Sequence, residues 1–229
     1  MKTFLLPPDF NWYRANLHCH STLSDGYWPP ERLKTEYKRH GYSILAISDH
    51  NVLVDHSDLD DPDFLTLTST EYDISDWDNT LYTPKAGRDP WNYRYHNTYH
   101  LNLFSKAQHP TERPARDTIW GFQHNCFEGT DEEKGRKKIF SYDAVNEVIR
   151  KANEAGFLVQ YNHPNWSRNR REDWLALRGV WSLEILNYAT EMETGVEYCP
   201  YIYDDMLTHV DSGIFCSMGD DNHNWGATL

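Results

Sequence analysis

The chain predicts an α/β fold of the β/α-barrel kind, and three observations lead there. Short apolar runs alternate with amphipathic helical stretches along its 229 residues, the pattern of repeated strand–helix units. That length suits one domain with a sizeable core, and a single barrel of this size is ordinary. Nearly every predicted strand also hands over to His, Asp or Glu at its C-terminal end. In a β/α barrel those ends converge on the face where active sites form, and scattered polar residues would have no reason to keep such a rule.

Taken in order, residues 15–20 (ANLHCH) read as a first strand with a polar end. Pro29 and Pro30 introduce a helix over 31–40, stopped by Gly41. Residues 42–48 (YSILAIS) form a second strand, followed at once by Asp49, His50 and Asn51. Residues 64–70 (FLTLTST) alternate like a third and end at Glu71, and 98–104 (TYHLNLF) make a fourth that contains His100. Ser141 has the character of an N-cap. After it Val145, Val148, Ile149, Ala152 and Ala155 keep helical spacing until Gly156. A strand at 157–161 ends at Asn162-His163-Pro164, and another at 180–186 ends at Asn187. A short helix fits 204–211, and a last strand at 213–218 leads into Gly219-Asp220-Asp221-Asn222-His223. The count is about seven strands.

Two stretches break the alternation. Residues 72–94 carry Trp77, Trp91, Pro84, Pro90 and Gly87 with little periodicity, which reads as an elaborated loop or hairpin. Residues 105–140 are irregular, with Pro110, Pro114 and a charged run at 131–138 that reads as a solvated helix face or turn. The expectation is one domain over 1–229, with insertions at about 72–97 and 105–140 near the active-site face.

Composition narrows the function. Hydrophobic residues at 39% and aromatics at 14% describe a folded protein rather than a disordered one. The formal net charge of −13 disfavours gripping long nucleic acid and is neutral towards a small anionic substrate, because bound cations would cancel part of it. The cysteines at 19, 126, 199 and 216 form no C-x-x-C pair. The N-terminal apolar run is too short for a signal segment, and no long apolar span follows, so a cytoplasmic location without a membrane anchor is expected.

His18 and His20 lie two apart on a strand and share one face, with Cys19 directed the other way, into the layer between sheet and helices. Two imidazoles on one face suit a borderline-soft divalent ion. Alone they fit a wet strand end equally well. Asp25, His50, Glu71, His100, His163, Asp221 and His223 recur at successive strand ends or in the loops just after them. About nine such groups exceed the roughly three protein ligands of one catalytic ion, so two or three ions are implied.

Four strings resemble the motifs of the polymerase-and-histidinol-phosphatase (PHP) superfamily. They are Asn16-Leu17-His18-Cys19-His20-Ser21-Thr22, Ile47-Ser48-Asp49-His50-Asn51, Tyr161-Asn162-His163-Pro164 and Gly219-Asp220-Asp221-Asn222-His223. The resemblance implies a distorted seven-stranded, TIM-like β/α barrel with a trinuclear centre of zinc, manganese or iron. Carried over by position, it gives one metal His18, His20, Glu71 and Asp221. A second would share Glu71 and add His100 and His163, and a third would take Asp25, His50 and His223. Some members have a histidine where Asp25 stands, and a carboxylate there would bias the site towards manganese or iron. Asp49 and Asp220 are expected to orient ligand histidines, although a strand-end turn role fits them too.

The implied activity is hydrolysis of a small phosphomonoester or phosphodiester by a metal-bridging hydroxide, with no side-chain nucleophile. Arg168 and Arg170 (with Arg171 beside them) are candidate phosphate contacts, unless they form only a solvated basic loop. The competing readings are an amidohydrolase-type C–N hydrolase, a nuclease-like domain, or a binding domain that has lost catalysis. The first often bridges two metals with a lysine, whereas here Glu71 stands early and no strand-end lysine appears. Oligomeric state is not indicated.

Overall fold

The computed structural model describes residues 11–75, 97–114, 119–122, 126–128 and 140–224. In chain order the strands and helices are β1 (Ala15–Asn16), α1 (Pro30–Arg39), β2 (Ile44–Ile47), β3 (Val52–Leu53), β4 (Leu65–Ser75), β5 (Thr98–Ser105), β6 (Ile119–Phe122), β7 (Cys126–Glu128), α2 (Tyr142–Glu154), β8 (Phe157–Tyr161), α3 (Arg171–Ala176), β9 (Ser182–Asn187), α4 (Tyr188–Thr194), α5 (Pro200–His209) and β10 (Phe215–Gly219).

Local chemistry accounts for the helices. Proline at the start of α1 has no N–H to leave unsatisfied; Glu31 lies in its first turn, and Lys38 and Arg39 in its last, each complementing the helix dipole. Ser141 Oγ accepts the Ala144 N–H at 3.1 Å and caps α2, as the sequence predicts. Gly156, at φ +85°, ends that helix in a conformation that a side chain resists. The buried faces Leu33 and Tyr37 of α1, and Val145, Ile149 and Ala152 of α2, turn towards the sheet.

Seven strands form one sheet in the order β1-β2-β4-β5-β8-β9-β10, and it curls into a nearly closed barrel. Closure comes from beyond the formal strands. Asp221 N–H donates to His18 C=O at 2.9 Å and His20 N–H to Asn222 C=O at 3.0 Å, joining the chain after β10 to the chain after β1. Neighbours run parallel except at β5, which is antiparallel to both β4 and β8. This reversal is the distortion of the barrel. On β5, Tyr99, Leu101 and Leu103 pack outward in one core with Val145 and Ile149 of α2, while His100 and Asn102 lie on the opposite phase. A second core gathers Cys19, Leu33, Tyr37, Leu45, Ile47 and Phe64.

Several boundaries differ from the sequence reading. The first strand is shorter than 15–20, because beyond Asn16 only Cys19 holds a bridge. Residues 72–75, expected in a loop, continue β4, since pairing with 98–101 on β5 satisfies their backbone. The stretch 105–140 contains β6 and β7, which join β3 in a small second sheet that the sequence did not reveal. The helices α3 and α4 were also unexpected. The aromatic segment from 76 to 94 and the charged run 131–138 lie outside the described residues.

Candidate metal centre

The C-terminal ends of the parallel strands gather His18, His20, His50, Glu71, His163 and Asp221. His100 joins them only because β5 is reversed: it is the third residue of its strand, opposite Asp73 of β4, so the start of β5 lies at the same end of the barrel. His18 and His20 share a face, with Nε2 atoms 3.3 Å apart, and Cys19 between them is buried in the helix-side core.

Donor atoms converge in three overlapping groups: His18, His20, Glu71 and Asp221; His50, Glu71 and His100; and His20, Asp25, His50 and His223. The first is the set expected for one metal. The trio around Glu71 contains His50, where the resemblance gave His163. His163 approaches the same carboxylate, with Nε2 3.2 Å from Glu71 Oε1. The last group adds His20 to the three residues expected there. Asp25, half exposed, has carboxylate oxygens 3.4 Å from His223 Nε2 and 3.7 Å from His50 Nε2.

The electrostatics fit a cation site. Burial opposes charge on His18, but Asp221, Glu71 and Glu184 outweigh it and hold its pKa well above the usual imidazole value. His20, opposed by burial in the same way, is pushed up to about 10 by Asp221 and Glu71. His50 goes the other way, brought down to about 4 chiefly by burial. Despite their burial, Glu71 and Asp221 stay well below the usual carboxylate range, Glu71 beside His18, His100 and His50 and Asp221 beside His18 and His20. The cluster therefore keeps ionised carboxylates and, without metal, favours protons on His18 and His20. Asp221 Oδ1 is the sharpest observation. It is buried, 3.0 Å from His20 Nε2 and 3.2 Å from His18 Nε2, yet no ring N–H is aligned to donate to it. A cation between these atoms satisfies all three, and oxygen and imidazole donors suit a divalent transition ion.

The backbone is bent to make this arrangement. His163 and Asp221 have φ of +25° and +49°, values that non-glycine residues rarely adopt and that cluster at functional sites. Gly26 is required for a similar reason: a Cβ there would lie 2.2 Å from the His20 carbonyl oxygen, so only glycine lets the loop carrying Asp25 fold back.

Asp49 and Asp220 do not contact a ligand histidine. Asp49 accepts from Ser21 N–H, Ser21 Oγ and Ser24 Oγ, pinning the loop after β1, and reaches His20 only through Ser24, whose Oγ is 3.5 Å from Nδ1. Asp220 accepts from the Tyr37 hydroxyl of α1 and donates its N–H to Asn16. Arg168 lines the cleft together with His163, whereas Arg170, the residue before α3, lines a separate hollow with Tyr142 and Asp173, and Arg171 is paired with Asp205.

Residues that the sequence reading missed complete the surroundings. Glu184, fully buried on β9, has Oε1 3.0 Å from His18 Nδ1. A lone carboxylate inside the apolar run VWSLEIL was its only signal. Asn162 donates to Glu71 Oε1 at 3.0 Å. Trp166 packs edge-on against the His100 and His163 rings, its indole N–H held by Glu193. The cleft above the cluster is also walled by Tyr188 and Met192 of α4.

No family model matches the chain, and no curated protein matches it in sequence. Solved structures do match in fold. A protein from Bifidobacterium adolescentis assigned as a metal-dependent phosphoesterase aligns with TM-score 0.53 and 17% identity over 97% of this chain and 91% of that one. An amidohydrolase from Chromobacterium violaceum, solved with sulfate and no metal, aligns with TM-score 0.52 and 14% identity over 94% and 89%. A two-domain protein from Bacteroides vulgatus, assigned as containing a PHP-like metal-dependent phosphoesterase, gives TM-score 0.48 and 16% identity over 92% of this chain, which spans 52% of its length. In fold, then, the chain is a distorted seven-stranded β/α barrel, an architecture it shares with the Bifidobacterium adolescentis and Chromobacterium violaceum proteins.

Proposed function

We propose that the protein is a metal-dependent hydrolase of a small phosphomonoester or phosphodiester. The observation that carries this reading is the buried, unaligned Asp221 Oδ1 facing His18 and His20, with Glu71 shared by two of the three donor groups. In this reading His18, His20, Glu71 and Asp221 hold one divalent ion, Glu71, His100, His50 and His163 surround a second, and Asp25 and His223 complete a third with His50 or His20. Such ions supply an acidified water and neutralise charge building on phosphoryl oxygens.

The chain's own groups do the rest. His163 Nδ1 is engaged by Ser167 Oγ at 3.1 Å, which leaves Nε2 for the cluster. Trp166 shields the His100–His163 side from solvent, and a dry wall strengthens every charge interaction inside it. Arg168 is the phosphate contact in this reading, and Arg170 and Arg171 drop out. A C–N hydrolase is the competing function, and one match in fold is an amidohydrolase. Against it stands the bridging position of Glu71. Among the described residues the lysines sit on α1, on α2 or after β5, away from the cluster.

The test is metal analysis together with a phosphate-release screen over sugar phosphates, nucleotides, and cyclic and 3′-phosphates. At least two ions per chain and metal-dependent phosphate release are expected; a folded protein that binds no metal and releases no phosphate overturns the reading. His163→Ala should lower turnover by more than the ~10–100-fold typical of losing an outer partner of a metal site, with the fold intact.

A further inference from the structure

Three groups from different parts of the chain meet at one buried carboxylate. Glu184 lies in the middle of β9 with β8 on one side and β10 on the other. Its Oε1 is 3.0 Å from His18 Nδ1, on the segment after β1. Its Oε2 accepts the His163 backbone N–H at 3.3 Å, where the chain leaves β8 in a left-handed conformation. The same oxygen accepts from Asn187 Nδ2 at 2.9 Å, and that amide also donates to Asp221 Oδ2 at 3.1 Å. Asn187 is held in turn by its Oδ1, which accepts the Thr190 N–H and caps α4. The fold makes room for this: at Gly219 of β10 a Cβ would lie 2.2 Å from Glu184 Oε1 and 2.8 Å from His18 Cβ.

From this geometry we propose that Glu184 is a positioning residue that locks His18, His163 and Asp221 into one ligand set. The inference rests on the metal-dependent reading above. By accepting from His18 Nδ1–H it selects the tautomer whose Nε2 lone pair faces Glu71 and Asp221, as carboxylates behind metal-ligating histidines do. By accepting from His163 N–H it offsets the strain of that turn, and through Asn187 it sets the rotamer of Asp221. One buried side chain thus ties together the segments after β1 and β8 and, through Asn187, the segment after β10.

The experiment titrates zinc or manganese alone, in competition with a chromogenic chelator, into the metal-free protein and its Glu184→Gln and Glu184→Asp variants. Unfolding temperature is recorded alongside. Gln keeps the shape but replaces one acceptor oxygen with a donor facing donors, so affinity should fall by roughly 10–100-fold. Asp keeps the charge at a shorter reach and should recover part of the loss. Long-range proton–nitrogen NMR on the zinc-loaded wild type needs no variant and should find His18 protonated at Nδ1. Wild-type affinity in a folded Glu184→Gln protein, or a His18 without that Nδ1 proton, overturns the proposal. A wild type that binds no metal fails the underlying reading instead, and the two failures are distinguished by the wild-type titration.

Discussion

Gly219→Ala tests how tightly β10 is pressed against the cluster. The added methyl would meet Glu184 Oε1 at 2.2 Å and His18 Cβ at 2.8 Å. Restoring ordinary contact requires the carboxylate to retreat by roughly 1 Å. A free side-chain tip could do so at little cost, but both Glu184 oxygens are engaged, by His18, the His163 backbone and Asn187. The substitution therefore combines overpacking, about 1–3 kcal/mol, with the weakening of a hydrogen bond to a charged group, about 1.5–3 kcal/mol. A central expectation of about 4 kcal/mol corresponds to a fall in unfolding temperature of about 8–16 °C for a domain of this size. Gly41→Ala is the control. Gly41 has φ +80° but nothing within 4 Å of its Cβ position, so it should cost only the left-handed strain, about 1–2 kcal/mol. Circular dichroism melts of both variants in chelator decide the matter. If Gly219→Ala melts no lower than Gly41→Ala, β10 is not packed against Glu184 as described.

Stability of the metal-free protein should peak near pH 6.5 and fall on both sides. His20, raised from 6.5 to about 10, stabilises below its unfolded pKa and loses that contribution as pH climbs towards 10. His50, lowered to about 4, binds its proton more readily unfolded, so stability falls as pH drops from 6.5 towards 4. Urea midpoints in chelator at pH 4.5, 6.5 and 9.5 test this, and a flat profile contradicts the buried charge arrangement. Ile149→Ala, on the inner face of α2 and fully buried, should cost about 2–5 kcal/mol in urea unfolding while leaving metal stoichiometry unchanged. Cys19→Ala should keep full metal stoichiometry, because the thiol faces the helix-side core and donates to the Ala46 carbonyl. Loss of an ion in that variant would make Cys19 a ligand.

Much of this site was legible in the chain because strand periodicity and turn chemistry act locally. The His18–His20 pair on one face follows from the two-residue repeat of extended backbone, whatever the strand pairs with. The N-cap at Ser141 and the stop at Gly156 depend only on neighbours within one turn. The placing of polar residues at strand ends pointed to the functional face because a barrel gathers those ends.

What the chain could not state locally was decided by pairing. His100 belongs to the cluster because β5 runs antiparallel, a direction set by its partners β4 and β8 and not by the residues TYHLNLF. Tyr72 to Ser75 form strand for the same reason: their backbone groups find partners on β5. Asp49 and Asp220 looked like supports for the histidines because of where they stand in sequence, but the backbone turns them towards Ser21, Ser24 and Tyr37. Glu184, the carboxylate that does touch His18, is 166 positions away from it. Residue types and their spacing thus determined which donors exist and on which face each lies. Closing the sheet, so that the chain after β10 bonds to the chain after β1, decided which donors face one another, because hydrogen bonds between distant strands carry no local signature.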